Sequence, residues 1–144
     1  MGVSTDGILF FGINLGDDED REELLPWEEE GEEGDWGDFV TRKLGIVHPD
    51  EEDGPLVDAY YLQKHIALIA LGCEVQIHGA ESCCAQAVVV KSSYKSASRG
   101  FPEKLSQEFL NSITEEDITK LKKFCELMGV EYQEPSWILT SWWG

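Results

Sequence analysis

What this sequence lacks first is a recognisable catalytic signature. It contains no G-x-S-x-G, no H-E-x-x-H, no phosphate-cradling Walker loop and no glycine-rich dinucleotide turn. His48, His65 and His78 each stand apart from any sequence-local nucleophile. These absences point away from an enzyme. No apolar run approaches the roughly 18 residues of a membrane span. The start, MGVSTDGILFFG, has no basic region ahead of a long apolar stretch, and Asp6 stands where N-myristoylation wants Ser or Thr. The chain therefore reads as soluble and intracellular. Basic residues are scarce: 11 Lys and Arg face 29 Asp and Glu, for a net charge of −18. With a pI near 4.3, a surface that coats nucleic acid by neutralising its phosphates is excluded. Cysteine is sparse too. Cys73, Cys83, Cys84 and Cys125 form no regular framework, and the vicinal pair cannot bridge without severe strain, so reduced thiols are expected. Cofactors, membranes and direct nucleic-acid contacts are all unexpected.

What is present is enough to fold. A chain of 144 residues with 42% apolar residues fits one domain with a sizeable core. Residues Gly7 to Leu15 alternate as a strand, with Leu9, Phe11, Ile13 and Leu15 on one face and Ile8, Phe10 and Gly12 on the other. Apolar residues on both sides suit a central strand. A short helix is expected from about Trp36 to Leu44. A longer one is expected from Pro55 to Leu71, with proline in its first turn and Gly72 as its stop. Its expected inner stripe is Ala59, Leu62, Ile66 and Ile69, with the last turns sandwiched on two sides. Cys73 to His78 and Ala85 to Lys91 read as a hairpin, and Ser92 to Gly100 as either a strand extension or a loop. Thr114 caps a helix to Met128 with Ile118, Leu121, Cys125 and Met128 buried, and Trp137 to Trp143 closes the chain as a strand. The expected fold is a single α+β domain: a small mixed or antiparallel sheet covered by about three helices, with an acidic loop after the first strand.

That loop is the most informative feature. Between Gly16 and Asp38 lie thirteen carboxylates and one basic residue, Arg21, a local charge of −12. Charge this dense repels itself, resists burial and attracts cationic surfaces. Three readings follow. The tract is a mobile solubility loop, a docking surface for a basic protein, or a nucleic-acid mimic matching the charge of about 20 Å of duplex. Gly16, Gly31, Gly34 and Gly37 argue against the rigidity that mimicry needs, so docking ranks above it. The carboxylates assigned to a partner are Asp17, Asp18, Glu19, Asp20, Glu22, Glu23, Glu28, Glu29, Glu30, Glu32, Glu33 and Asp35. Leu24, Leu25 and Trp27 either anchor that partner or fold back to pin the loop to its own core.

Other clusters are weaker. Asp17-Asp18-Glu19-Asp20 lacks the spacing that wraps oxygens around calcium. Cys73, His78, Cys83 and Cys84 raise a zinc or small-ligand alternative, opposed by strand alternation, which sends Cys73 and His78 to different faces. Lys91, Lys95, Arg99 and Lys104 make a small positive region, either a dock for the chain's own acids or a phosphate contact.

Four short pieces of sequence carry a likeness to known proteins. They are Asp6-Gly7-Ile8-Leu9-Phe10-Phe11-Gly12, Leu25-Pro26-Trp27 amid acids, Ser98-Arg99-Gly100-Phe101-Pro102, and Pro135-Ser136-Trp137 leading to Ser141-Trp142-Trp143-Gly144. On these the chain resembles small acidic proteins of tailed bacteriophages. The resemblance implies phage origin and action in the cytoplasm of an infected bacterium, but no activity and no site residues. The expectation that combines both lines is a non-catalytic protein that binds and inhibits or modulates a host protein with a basic surface, such as a nucleic-acid-handling or defence enzyme. The alternatives are the metal- or ligand-binding protein above and an accessory phage protein whose acids serve solubility alone.

Overall fold

The computed structural model describes residues 5–17, 19–28, 35–80 and 83–143, with Cys83 described in its backbone only. Strand β1 (Thr5–Gly16) follows from its two-faced alternation and takes partners along both edges. One edge pairs with the closing strand β5 (Ser136–Trp143). The other edge pairs first with β4 (Lys95–Ser98) and then with β3 (Cys83–Val90). A three-residue 3₁₀ turn, Lys91–Ser93, separates β3 from β4. Ser93 is fully buried in that turn, where its Oγ accepts from Phe11 N at 2.8 Å and so replaces a ladder bond that the turn removes.

β2 (Cys73–Ala80) forms the expected antiparallel hairpin with β3 and touches β5 in parallel at Gly79 and Ala80. The sheet is therefore mixed. Its pairings β1–β5, β5–β2, β2–β3 and β3–β1 close a ring, so the sheet curls on itself. Gly12 is where β1 presses against β3. A Cβ there would lie 2.1 Å from the Val88 carbonyl oxygen, so the approach is of backbone to backbone.

Two clusters fill the fold. Ile8, Phe10, Ala87 and Val89 pack inside the curl with Tyr94, Ile138 and Trp142. On the other face, Ile13, Val75, Val88 and Val90 meet helices α1 (Trp36–Lys43) and α4 (Glu115–Met128). A single helical turn, α3 (Gln107–Leu110), precedes α4. α4 has its Thr114–Asp117 capping box and buries Leu121, Phe124, Cys125 and Met128.

Helix α2 (Pro55–Leu71) has the expected bounds and ends on Gly72 at φ 67°, a left-handed stop. Its orientation is not the expected one. Leu62, Ile66 and Ile69 are 61, 58 and 54% exposed, and Ala59 is exposed with them. Val57, Leu68 and Leu71 face inward instead, Val57 buried and both leucines packed against the main core. The reason is compositional: the last turns, Ile66 to Leu71, are apolar on all sides, so the hydrophobic period could not select a face there. The last turns are covered on one side only among the described residues. No helix among these residues is long and apolar enough to cross a membrane.

Candidate functional site

The acidic segment leaves β1 at Gly16 and turns on an Asp17 carboxylate that accepts from Glu19 N at 3.0 Å and Asp20 N at 2.9 Å. Arg21 then folds back. Its Nε donates to the Asp17 carbonyl, and its two terminal nitrogens donate to the Glu28 carboxylate at 2.8 and 3.2 Å. Glu28 also accepts from Leu25 N at 2.9 Å and from Gln86 Nε2 at 2.6 Å. Gln86 in turn accepts from the Trp27 indole at 2.9 Å, which ties the loop to β3. Burial pushes the Glu28 carboxyl upward, but Arg21, Leu25 and Gln86 together outweigh it and hold the group below its usual 4.5.

Leu25 and Trp27 are 7 and 3% exposed. Both belong to the main core, where the Trp27 ring meets Phe39 edge-on at 6.4 Å. Of the two roles open to them, pinning the loop is the one their position allows; as surface anchors for a partner they are unavailable. Leu24 is different, 57% exposed on the rim of a cleft of about 340 Å³ shared with Glu23, Leu15 and Val130.

The thirteen carboxylates thus divide by task. Asp17 and Glu28 shape the loop. Asp35 caps α1 by accepting from the backbone of Gly37 and Asp38, and Asp38 pairs with Lys64. Glu19, Asp20, Glu22 and Glu23 are exposed, and Glu19 and Asp20 join this network through their backbone N–H groups. Asp18, Glu29, Glu30, Glu32 and Glu33 lie outside the described residues. The structural roles of Arg21 and Asp35 escaped the sequence reading, although both left a signal. Arg21 is the only cation in the tract, and Asp35 immediately precedes an expected helix.

The positive region lies elsewhere. Lys95 sits on β4 opposite Leu9, and its ammonium lies over the Phe109 ring at 5.1 Å. From Leu9 to Gly16 the strand rise carries β1 about 23 Å, so Lys95 stands well along the strand from the acidic loop.

The cysteine–histidine alternative does not assemble. Among the described residues no three His, Cys, Asp or Glu side chains are grouped to hold a metal ion. Cys73 is buried on the helix side of the sheet near Cys125, and burial pushes their thiols up to about 12 and about 11. Thiols held protonated in this way make poor ligands and poor nucleophiles. His78 is buried, its ring tilted 59° to that of Phe10 with centroids 5.8 Å apart. Its Nε2 donates to Asn14 Oδ1 at 2.9 Å and its Nδ1 accepts from the Thr140 hydroxyl at 3.1 Å. Both ring nitrogens are used, and burial lowers the pKa, as suits a neutral structural imidazole. The side chain of Cys83 lies outside the described residues.

Comparison with protein-family models, with curated proteins and with solved structures gives no match.

Proposed function

We propose that this chain is a non-catalytic docking protein whose acidic loop engages a partner protein with a basic surface and modulates it. The observation that carries the reading is the pinned base of the loop. Leu25 and Trp27 are sunk into the core, and Arg21 is clamped on Glu28. Glu19, Asp20, Glu22, Glu23 and Leu24 are thereby offered from a defined place on the surface. A segment ordered before the encounter loses less conformational freedom on binding than a free acidic tail. The carboxylates draw a cationic surface in and raise the association rate, while Leu24 supplies short-range apolar contact. A nucleic-acid-handling enzyme has the basic groove that this arrangement suits. On the phage resemblance, its setting would be the cytoplasm of an infected bacterium.

The test is affinity capture from bacterial lysate with the wild-type chain and with a variant carrying Glu19→Gln, Asp20→Asn, Glu22→Gln and Glu23→Gln. The reading expects a partner retained by the wild type and lost by the amide variant. A partner held equally by both would overturn it.

A further inference from the structure

Helix α2 presents a second surface of opposite character. Pro55, Ala59, Leu62, Ile66 and Ile69 all face solvent, and their spacing runs four, three, four, three. That is the seam spacing of a helix that packs along another helix. The stripe follows a 17-residue helix, about 25 Å at 1.5 Å per residue. It carries no charged residue in a chain of net charge −18. A continuous apolar stripe of this extent marks an association surface rather than scattered exposure.

We propose that the stripe is covered by a second copy of this chain, with the two α2 helices antiparallel about a two-fold axis at Leu62. The seam is self-complementary in that arrangement. Leu62 meets Leu62 of the partner subunit at the axis. The small Ala59 lies opposite Ile66 of the partner subunit, and Pro55 lies opposite Ile69 of the partner subunit. The flanks agree. Asp58 and His65 border the same side of the stripe, one heptad apart, and antiparallel packing sets Asp58 against the partner subunit's His65 twice. On the other side Leu56 faces the partner subunit's Ala70. A parallel pairing would instead set the Asp58 and His65 flank against the flank of Leu56, Gln63 and Ala70, and leave Ala59 opposite Ala59, giving Asp58 no histidine partner and opening a gap.

The same geometry also places the charges outside the seam. Asp50, Glu51, Glu52 and Asp53 precede α2, and an antiparallel partner carries them toward the far end of the other helix. There Lys120, ion-paired with Glu116 at 3.5 Å, lies against Gly72, its Cδ 3.1 Å from where a Cβ on that glycine would stand. Because the stripe itself is uncharged, two strongly acidic chains meet where their mutual repulsion is least.

Sedimentation equilibrium of the full chain from low-micromolar to submillimolar concentration tests this. The expected mass rises from 16.2 kDa toward twice that value. Ile66→Glu buries two unpaired charges in the seam and should weaken association at least about a hundredfold, while leaving the far-UV circular dichroism unchanged. Asp58→His should weaken it less, and adding His65→Asp to that variant should restore it. A wild-type chain that stays at 16.2 kDa at every concentration overturns the proposal and leaves the stripe to another occupant. A dimer that survives Ile66→Glu, or a charge swap that fails to restore association, also overturns it.

Discussion

The loop after β1 and helix α2 reach the surface by opposite routes. The loop has the composition of a segment that cannot fold, yet Leu25, Trp27 and the Arg21–Glu28 clamp give part of it a fixed position. α2 is among the most apolar stretches of the chain, yet its seam residues stand in solvent. Composition sets what a segment would prefer, and its neighbours decide what it gets. Two buried side chains suffice to hold a charged loop in place. A helix whose last turns are apolar all round offers more apolar surface than one flank of a small sheet can cover. One surface should attract partners less as salt rises, through screening; the other should associate more readily as salt suppresses repulsion between acidic copies.

The strongest way to break this comparison is at Trp27. Trp27→Ala should cost about 3–5 kcal/mol in urea denaturation, because it opens a cavity under the loop. A near-neutral result would mean that the loop is not pinned there. The clamp comes next. Glu28→Gln should cost about 1–3 kcal/mol, since Arg21 loses a charged partner and one of two further donors, Leu25 N or Gln86 Nε2, then faces an amide NH2 in place of an acceptor. The pH dependence sharpens this point. Glu28 has a folded-state pKa below 4.5, so its contribution to stability is complete above 4.5 and disappears as pH falls through the lower folded value. Acid titration of Glu28→Gln should therefore show a shallower loss of stability in that window than the wild type. The smallest effects belong to the two exposed positions. In dilute solution, Leu24→Ala and Ile66→Glu should each change monomer stability by less than about 0.5 kcal/mol. A large loss at Ile66 would show that the α2 seam packs within its own chain.

Much of the fold was legible in the sequence because several local signals agreed. β1 alternated over its length, α4 carried a cap, acids in its first turn and a glycine stop, and α2 was bracketed by Pro55 and Gly72. The orientation of α2 was not legible, since Leu62 and Leu68 are equally apolar and only their neighbours distinguish them. Nor was the 3₁₀ turn at Lys91–Ser93, which depends on the contact between Ser93 and Phe11, 82 residues apart in sequence. In the candidate site, the charge was plain from composition. The division of labour among the carboxylates was not, because Glu28 gains its role from Gln86 on a distant strand.

The account rests on the exposed carboxylates of the pinned loop as the attachment point for a cationic partner. The most direct measurement is the affinity of a captured partner for the wild-type chain and for the four-residue amide variant across a salt titration. Wild-type binding should weaken steeply with salt, and the variant should bind feebly at every ionic strength. Equal affinities with no dependence on salt would contradict the account.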